Sequence, residues 1–350
     1  MFSRFWFLET SFFSVLACSD LVLEFLLDRV ELVRPCFTGR VISGLCFLLV
    51  LLLCVSLALT FGFILINRYT VIGQPIAHSL SPIIHQLFGE LTQRKIHYTR
   101  TEASPETFAD TVIDWQDSGG RGCNVTMPFK EQAHEVCDRL SVAARLAGSV
   151  NTIHMHKDGS RIGHNTDGLG LLADFNSNLR WKLANRNVLL IGAGGASRGV
   201  VGPLLDAAPA TLWIANRTAS RATELAEYFK AHHTPKRRDA ASIRLDGGGM
   251  LDVPDAMEFD IVINASSASL LGDMPDIESV RFAKQACAYD MMYGNADTPF
   301  TSWAKSRNMT TSNGFGMLIE QAADAFLFWE GVRPKTRMAY PRLRELLAQK

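Results

Sequence analysis

Four apolar residues run without interruption from Val188 to Ile191, stop at Gly192, and are followed closely by Gly194 and Gly195. A short, continuous apolar run closed by glycines reads as a strand buried on both faces of a parallel sheet. Glycines directly after such a strand allow a tight turn and let an anion approach backbone N–H groups. The helix predicted from about Ser197 aims the positive end of its dipole at that anion. The spacing Gly192-x-Gly194-x-x-Ser197 lacks the third glycine of the dinucleotide pattern. Taken alone, the turn therefore points to a phosphate at a helix N-terminus and no further.

The flanks extend this reading. Ala210–Asn216, Glu258–Ala265 and Ala286–Met292 are further strand candidates. Strands and helices alternate from Asn187 to about Thr311, which predicts an α/β fold with a doubly wound parallel sheet. The stretch 236–254 is polar and Gly-rich and reads as a loop around one short strand. The end of the second strand is the informative position, because an NAD site places an Asp or Glu there to accept the ribose 2′-hydroxyl. Asn216, Arg217, Thr218 and Arg221 stand there instead. Two guanidiniums and a hydroxyl suit a 2′-phosphate, so the residues predict NADP(H) as cofactor. The plainer alternative, two helix-surface charges, suits Arg221 better than both together.

Ahead of this unit, Tyr69–Gly73 is a short strand of β-formers ending in glycine, and Gln74–Pro82 is a loop into a helix. Spacing favours Ser81 as an ordinary N-cap, although Ser79 and Ser81 also offer hydroxyls to an anion. Thr107–Asp117 reads as a helix. Residues 119–130 read as a short strand broken by Pro128, with Asn124, Thr126 and Lys130 alternating toward one side to line a polar pocket. The competing reading of Lys130 is a solvated helix start. Ser149–His156 and the run from Arg161 form a hairpin. Asp167 opens a helix, as a capping carboxylate, a pocket carboxylate, or both. Another helix spans Leu318–Trp329, and the last starts at about Pro341. His154 and His156 share a strand face without a third ligand, and no metal site is predicted.

Residues 1–68 are a different material. Val41–Asn67 carries no charge, and two readings are open for it: a membrane-spanning helix, or an upstream extension of a chain whose functional part begins near Tyr69. The second is favoured, because the arginines before the run would leave a cofactor-dependent body on the wrong side of the membrane. Of seven cysteines, four fall in this segment, and no CxxC pair occurs. That usage fits a reduced, cytoplasmic protein. The 35 basic and 35 acidic residues leave no net charge to suggest a nucleic-acid partner.

These motifs carry a resemblance. From Tyr69 to the C-terminus the chain resembles the shikimate dehydrogenase family, through Gly73-Gln-Pro-Ile-Ala-His-Ser-Leu-Ser-Pro82, Asn124-Val-Thr-Met-Pro-Phe-Lys130, Val150-Asn-Thr152, Asn165-Thr-Asp-Gly168, Gly192-Ala-Gly-Gly-Ala-Ser197, Asn216-Arg-Thr218 and Tyr289-Asp-Met291. It implies NADPH-dependent reduction of 3-dehydroshikimate to shikimate in aromatic amino-acid biosynthesis. It also implies a substrate domain over 69–166 completed by 314–350, and a Rossmann-type NADP domain over 167–313. Residues 1–68 are not covered. By the resemblance, Lys130 and Asp167 are the catalytic pair, and Ser79 and Ser81 hold the substrate carboxylate. Asn124, Thr126, Asn151, Asp167 and Gln321 take ring hydroxyls, with Tyr293 nearby. Gly192, Ala193, Gly194, Gly195, Ala196, Asn216, Arg217, Thr218, Arg221, Met291 and Gly314 contact the dinucleotide. Three residues depart from the family pattern: Asn313 for a common Asp, Ser266 for Thr and Ser269 for Gly. The implied partner is the small-molecule substrate, for a monomer or homodimer that meets a membrane only through residues 41–67. Alternatives are a quinate/shikimate dehydrogenase of broader specificity and a non-catalytic shikimate- or nucleotide-binding protein.

Overall fold

The computed structural model describes residues 66–234, 243–266, 273–294 and 296–348. The apolar extension, including its membrane-spanning reading, falls outside them except for its last three residues. Among the described residues no helix is long and apolar enough to cross a membrane.

The chain opens with β1 (Asn67–Gly73), α1 (Ser81–Thr92), β2 (Ile96–Glu102), α2 (Phe108–Asp117) and β3 (Gly122–Val125). Then come α3 (Lys130–Glu135), β4 (Arg139–Leu140), α4 (Val142–Ala147), β5 (Thr152–Met155) and β6 (Arg161–His164). These strands form one sheet in the order β2-β1-β3-β5-β6-β4. Strands β1, β2 and β3 run parallel, while β5 pairs antiparallel with both β3 and β6. The hairpin read from 149–161 is present, with Met155 opposite Arg161, although its first strand starts only at Thr152.

The second sheet follows α5 (Asp167–Ala173), which continues into a π-helical turn over Asp174–Leu179. It comprises β7 (Asn187–Ile191), β8 (Thr211–Ala215), β9 (Arg244–Gly248), β10 (Glu258–Asn264), β11 (Arg281–Asp290) and β12 (Thr310–Asn313). All are parallel, in the order β12-β11-β10-β7-β8-β9. The order reverses beside β7, which makes the glycine turn after β7 the topological switch point, where open α/β sheets bind ligands. The crossovers include α6 (Gly195–Asp206), α7 (Ala219–His232) and α8 (Pro299–Ser306). Helix α6 begins at Gly195, two residues ahead of the expected start, because the last glycine of the turn already has helical geometry.

Two long helices close the chain, α9 (Phe315–Glu330) and α10 (Thr336–Ala348). Helix α10 starts at Thr336 rather than near Pro341. Pro341 lies inside it, where its missing N–H forfeits a bond to the Arg337 carbonyl. Helix α9 returns to the first sheet. Its Met317 sits in the core of the second sheet, while Ile319, Ala322, Ala323, Phe326 and Trp329 pack with Tyr69, Ile84 and Phe88 in the first. Trp329 stacks on Tyr69 and donates its indole N–H to the Ile153 carbonyl at 2.9 Å. Close approach to α5 depends on Gly170, where a Cβ would collide with the backbone and Cβ of Gln321.

That first core surrounds an imidazole, His85, 1% exposed and stacked face to face on Tyr98 at 4.4 Å and 4°. No hydrogen bond of ordinary length reaches either ring nitrogen. Burial pushes its pKa down to about 3, and the nearby Asn124 side chain offsets only part of the shift. In the unfolded chain the same ring takes a proton near pH ~6.5. Unfolding therefore binds a proton between those values. Stability, whole above that window, falls by about 1.4 kcal/mol per unit as pH drops through it. Urea midpoints of His85→Phe should accordingly fall less steeply than wild type between pH ~6.5 and ~4. Parallel curves would contradict this.

Candidate active site

Lys130 and Asp167 form the centre of the site. Lys130 Nζ lies 2.5 Å from Asp167 Oδ2, with the two side chains only 15% and 6% exposed. A buried pair of this kind needs its remaining valences satisfied. Asp167 Oδ1 accepts from Asn151 Nδ2 at 2.8 Å, and the Asp167 N–H donates to Asn165 Oδ1 at 3.1 Å. Asn165 Nδ2 is held in turn by the Ser149 hydroxyl at 3.0 Å and the Ser149 carbonyl at 3.1 Å. The ammonium carries three protons. Among the described residues only Asp167 takes one, so the others remain for a ligand oxygen.

Lys130 reaches this place by a route the residue pattern does not suggest. Strand β3 ends at Val125, Thr126 and Met127 turn, and Lys130 is the first residue of α3. Of the three residues expected to alternate toward one side, only Asn124 lies on the strand, which ends ahead of the expected break at Pro128. Pairing with β1 and β5 holds β3 to four residues, and Pro128 follows at once. The reading of Lys130 as a helix start is correct, but the lysine is not solvated.

Asn151 links the pair to α9. Its Nδ2 also lies 3.0 Å from Thr166 Oγ1 and 3.4 Å from Gln321 Oε1. Gln321 Nε2 donates within its own helix to the Leu318 carbonyl at 2.9 Å. Only long contacts, both 3.4 Å, reach Gln321 Oε1, which leaves it able to accept from a ligand hydroxyl.

Asn124 is fixed from both ends. Its Oδ1 accepts from the Tyr98 phenol at 2.7 Å, while its Nδ2 donates to Thr152 Oγ1 at 3.0 Å and the Asn151 carbonyl at 3.2 Å. Tyr98 also touches Ser81, and burial pushes its phenol pKa well up. Ser81 is not the N-cap. Leu80 holds that position with no side-chain bond, and Ser81 is the first helical residue. Ser79 Oγ, two residues back, accepts from the Ser81 N–H at 3.3 Å. Arg100 Nε donates to the Ser79 carbonyl at 3.0 Å, bringing positive charge beside both hydroxyls. Tyr293 lies against the Leu80 backbone, and burial raises its pKa. Thr126 is half-buried at the end of β3.

The glycine turn adjoins this network. A Cβ on Gly195 would lie 3.5 Å from Lys130 Cβ, so the turn touches the stem of the lysine. Gly192 has φ +112°, a conformation other residues rarely adopt, which explains the glycine there. Gly194 caps α6 without any side-chain bond, leaving the first N–H groups of the helix for an anion. Ser197 is fully buried beneath the turn and does not obstruct it. Arg217, Thr218 and Arg221 are exposed between β8 and the first turn of α7. Neither arginine pairs with a carboxylate among the described residues, and Asn216 Nδ2 donates to the Thr218 carbonyl at 3.0 Å. Those features fit a dinucleotide carrying a 2′-phosphate. Among the described residues no hydrogen bond or ion pair joins the two arginines to the lysine centre.

At the other edge, the Gly314 N–H donates to the Met292 carbonyl at 3.0 Å, drawing Met291 and Gly314 together. Asn313 Oδ1 accepts from the Phe315 N–H at 3.2 Å and its Nδ2 donates to the Gly294 carbonyl at 3.3 Å. An Asp could make only the first bond, so this departure adds one. Ser266 donates its hydroxyl to Asn264 Oδ1 at 2.7 Å. Ser269 lies outside the described residues. Thr166, Ser149 and Tyr98 were not among the predicted site residues. Motif positions beside Asn165 and Asn151 could have pointed to the first two. Tyr98 reaches Asn124 only through the β1–β2 pairing, which no local pattern reports.

Comparison with known proteins follows the same two-part division. Residues 71–153 match the family model described as shikimate dehydrogenase substrate binding domain. Residues 174–247 match the model described as shikimate / quinate 5-dehydrogenase. The chain is 46% identical over 281 residues to the shikimate dehydrogenase (NADP(+)) of Janthinobacterium sp., an alignment covering 80% of this chain and 98% of the relative. The enzyme of the same name from Cupriavidus taiwanensis is 44% identical over 288 residues, covering 80% and 94%. Among solved structures, shikimate 5-dehydrogenase from Thermus thermophilus in complex with NADP(H) and shikimate superposes with a TM-score of 0.68 at 30% identity, covering 80% of this chain and 99% of that one.

Proposed function

The chain belongs to the shikimate dehydrogenase family, and on that footing we propose that it reduces 3-dehydroshikimate to shikimate, reversibly and with NADPH, in the biosynthesis of aromatic amino acids. The observation that carries this reading is the buried Lys130–Asp167 pair set directly against Gly195 of the glycine turn. A proton donor and the loop that holds a hydride carrier belong side by side when a ketone is reduced.

Bound NADPH supplies the hydride. The Lys130 ammonium hydrogen-bonds to the substrate carbonyl oxygen, stabilises the negative charge that develops there and gives it a proton. Lys130 then regains a proton from solvent, so that ketone, NADPH and one proton become alcohol and NADP+. Asp167 aims Lys130, and its Oδ2 accepts from a ring hydroxyl. Asn124, Thr126, Asn151 and Gln321 take the remaining hydroxyls, with Tyr293 over the ring. Ser79 and Ser81, beside Arg100, hold the carboxylate. Gly192, Ala193, Gly194, Gly195 and Ala196 hold the pyrophosphate, Asn216, Arg217, Thr218 and Arg221 the 2′-phosphate end, and Met291 with Gly314 the nicotinamide end. We place the reaction in the cytoplasm, with 69–166 and 314–350 as substrate domain and 167–313 as cofactor domain.

The test is NADP+ reduction by shikimate with quinate run beside it. Activity with shikimate, and at least tenfold lower kcat/KM for quinate, is the expected outcome. Comparable values would favour the broader quinate/shikimate reading, and no activity with either would end both.

A further inference from the structure

A cavity of about 660 Å³ lies between the π-helical turn, the junction of β12 with α9, and α10. Neither Lys130, Asp167 nor any residue of the glycine turn lines it. Its volume is that of a small-molecule site, about 300–1,000 Å³. Three guanidiniums line it, those of Arg180, Arg337 and Arg344. All three are exposed, and none pairs with a described residue. Their neighbours on the same C-terminal segment behave differently: Arg333 pairs with Glu320 and Asp324, and Arg342 with Glu90. On that segment Arg337 and Arg344, which face the cavity, pair with no carboxylate among the described residues.

The one carboxylate in the lining, Asp174, does not serve them. It is 2% exposed, and its two oxygens accept from Asn178 Nδ2 at 2.8 Å and the Tyr289 phenol at 2.7 Å. The lining also holds two aromatic rings, Phe315 and Tyr340, meeting edge to face at 6.2 Å and 81°. Guanidinium forks match phosphate oxygens bidentately, and three cations without partners suit a dianion. The paired rings suit a flat apolar body next to it.

We propose that this cavity binds a small phosphomonoester carried on a ring, at a site separate from the catalytic centre. Two of its walls reach that centre. Helix α5 runs from Asp167 to the edge of the cavity at Asp174, about 10 Å at 1.5 Å per residue. Helix α9 starts at the cavity with Phe315 and carries Gln321 less than two turns on. An occupant that ties both helices to α10 acts on the placement of Asp167 and Gln321.

Calorimetric titration of phenyl phosphate into the full chain tests this, with NADP+ saturating so that the 2′-phosphate end is filled. Wild type should bind saturably, and inorganic phosphate at least tenfold more weakly. The double variant Arg337→Gln/Arg344→Gln, altered only at exposed positions, should bind phenyl phosphate at least tenfold more weakly at an unchanged thermal midpoint. No saturable binding by wild type would overturn the proposal. So would inorganic phosphate binding as tightly as phenyl phosphate, or undiminished binding by the variant.

Discussion

Lys130→Ala should lower kcat for shikimate oxidation by about 10²- to 10⁴-fold, the range of a positioned general acid–base, while KM for shikimate changes much less. The asymmetry follows from the geometry. Asn124, Asn151 and Gln321 are held by their own hydrogen bonds and not by Lys130, so ring-hydroxyl recognition survives the substitution. The proposed proton carrier does not survive it. Removing one member of a buried pair also destabilises the fold, by about 3–5 kcal/mol where nothing else compensates. Here Asn151 Nδ2 still donates to Asp167 Oδ1, which places the loss below that range. A folded variant with near-normal kcat would remove Lys130 from the chemistry. Equal losses in binding and turnover would make it a binding group only.

Arg217→Ala should raise KM for NADP+ by about 10- to 100-fold, the worth of one or two charge-assisted hydrogen bonds of about 1.5–3 kcal/mol, and leave KM for NAD+ little changed. Arg217 is exposed and makes no ion pair among the described residues, so its removal breaks nothing in the fold. The contrast between the cofactors is the informative quantity. Equal effects on both would show that Arg217 does not read the 2′-phosphate.

Much of the architecture was legible because its signals are local. The apolar run Val188–Ile191 ends where β7 ends, and the glycines after it sit at the point where the strand order of the second sheet reverses. The residues at the end of β8 carry the cofactor argument without help from anything distant. Legibility failed where tertiary context overrides local pattern. Asn124, Thr126 and Lys130 alternate in sequence, yet the strand stops at Val125 and Lys130 opens the next helix. Ser81 looks like an N-cap, but it is the first helical residue after Leu80 as the cap, and the Ser81 N–H donates to Ser79 Oγ. Pro341 reads as the start of a helix that begins five residues earlier. Tyr98 orients Asn124 from a neighbouring strand, and His85 loses its basicity inside an aromatic stack that α9 completes. Neither residue lies in a pattern that announces it.

The central claim is that Lys130, held by Asp167 against the glycine turn, delivers the proton in an NADPH-dependent ketone reduction. Its most direct test mixes the full chain with NADPH and 3-dehydroshikimate and follows cofactor and product together. Wild type should form one shikimate for each NADPH consumed, far faster than with NADH, and Lys130→Ala should lose that turnover while remaining folded. A wild-type chain that consumes no NADPH, or a Lys130→Ala variant that consumes it at the wild-type rate, would contradict the account.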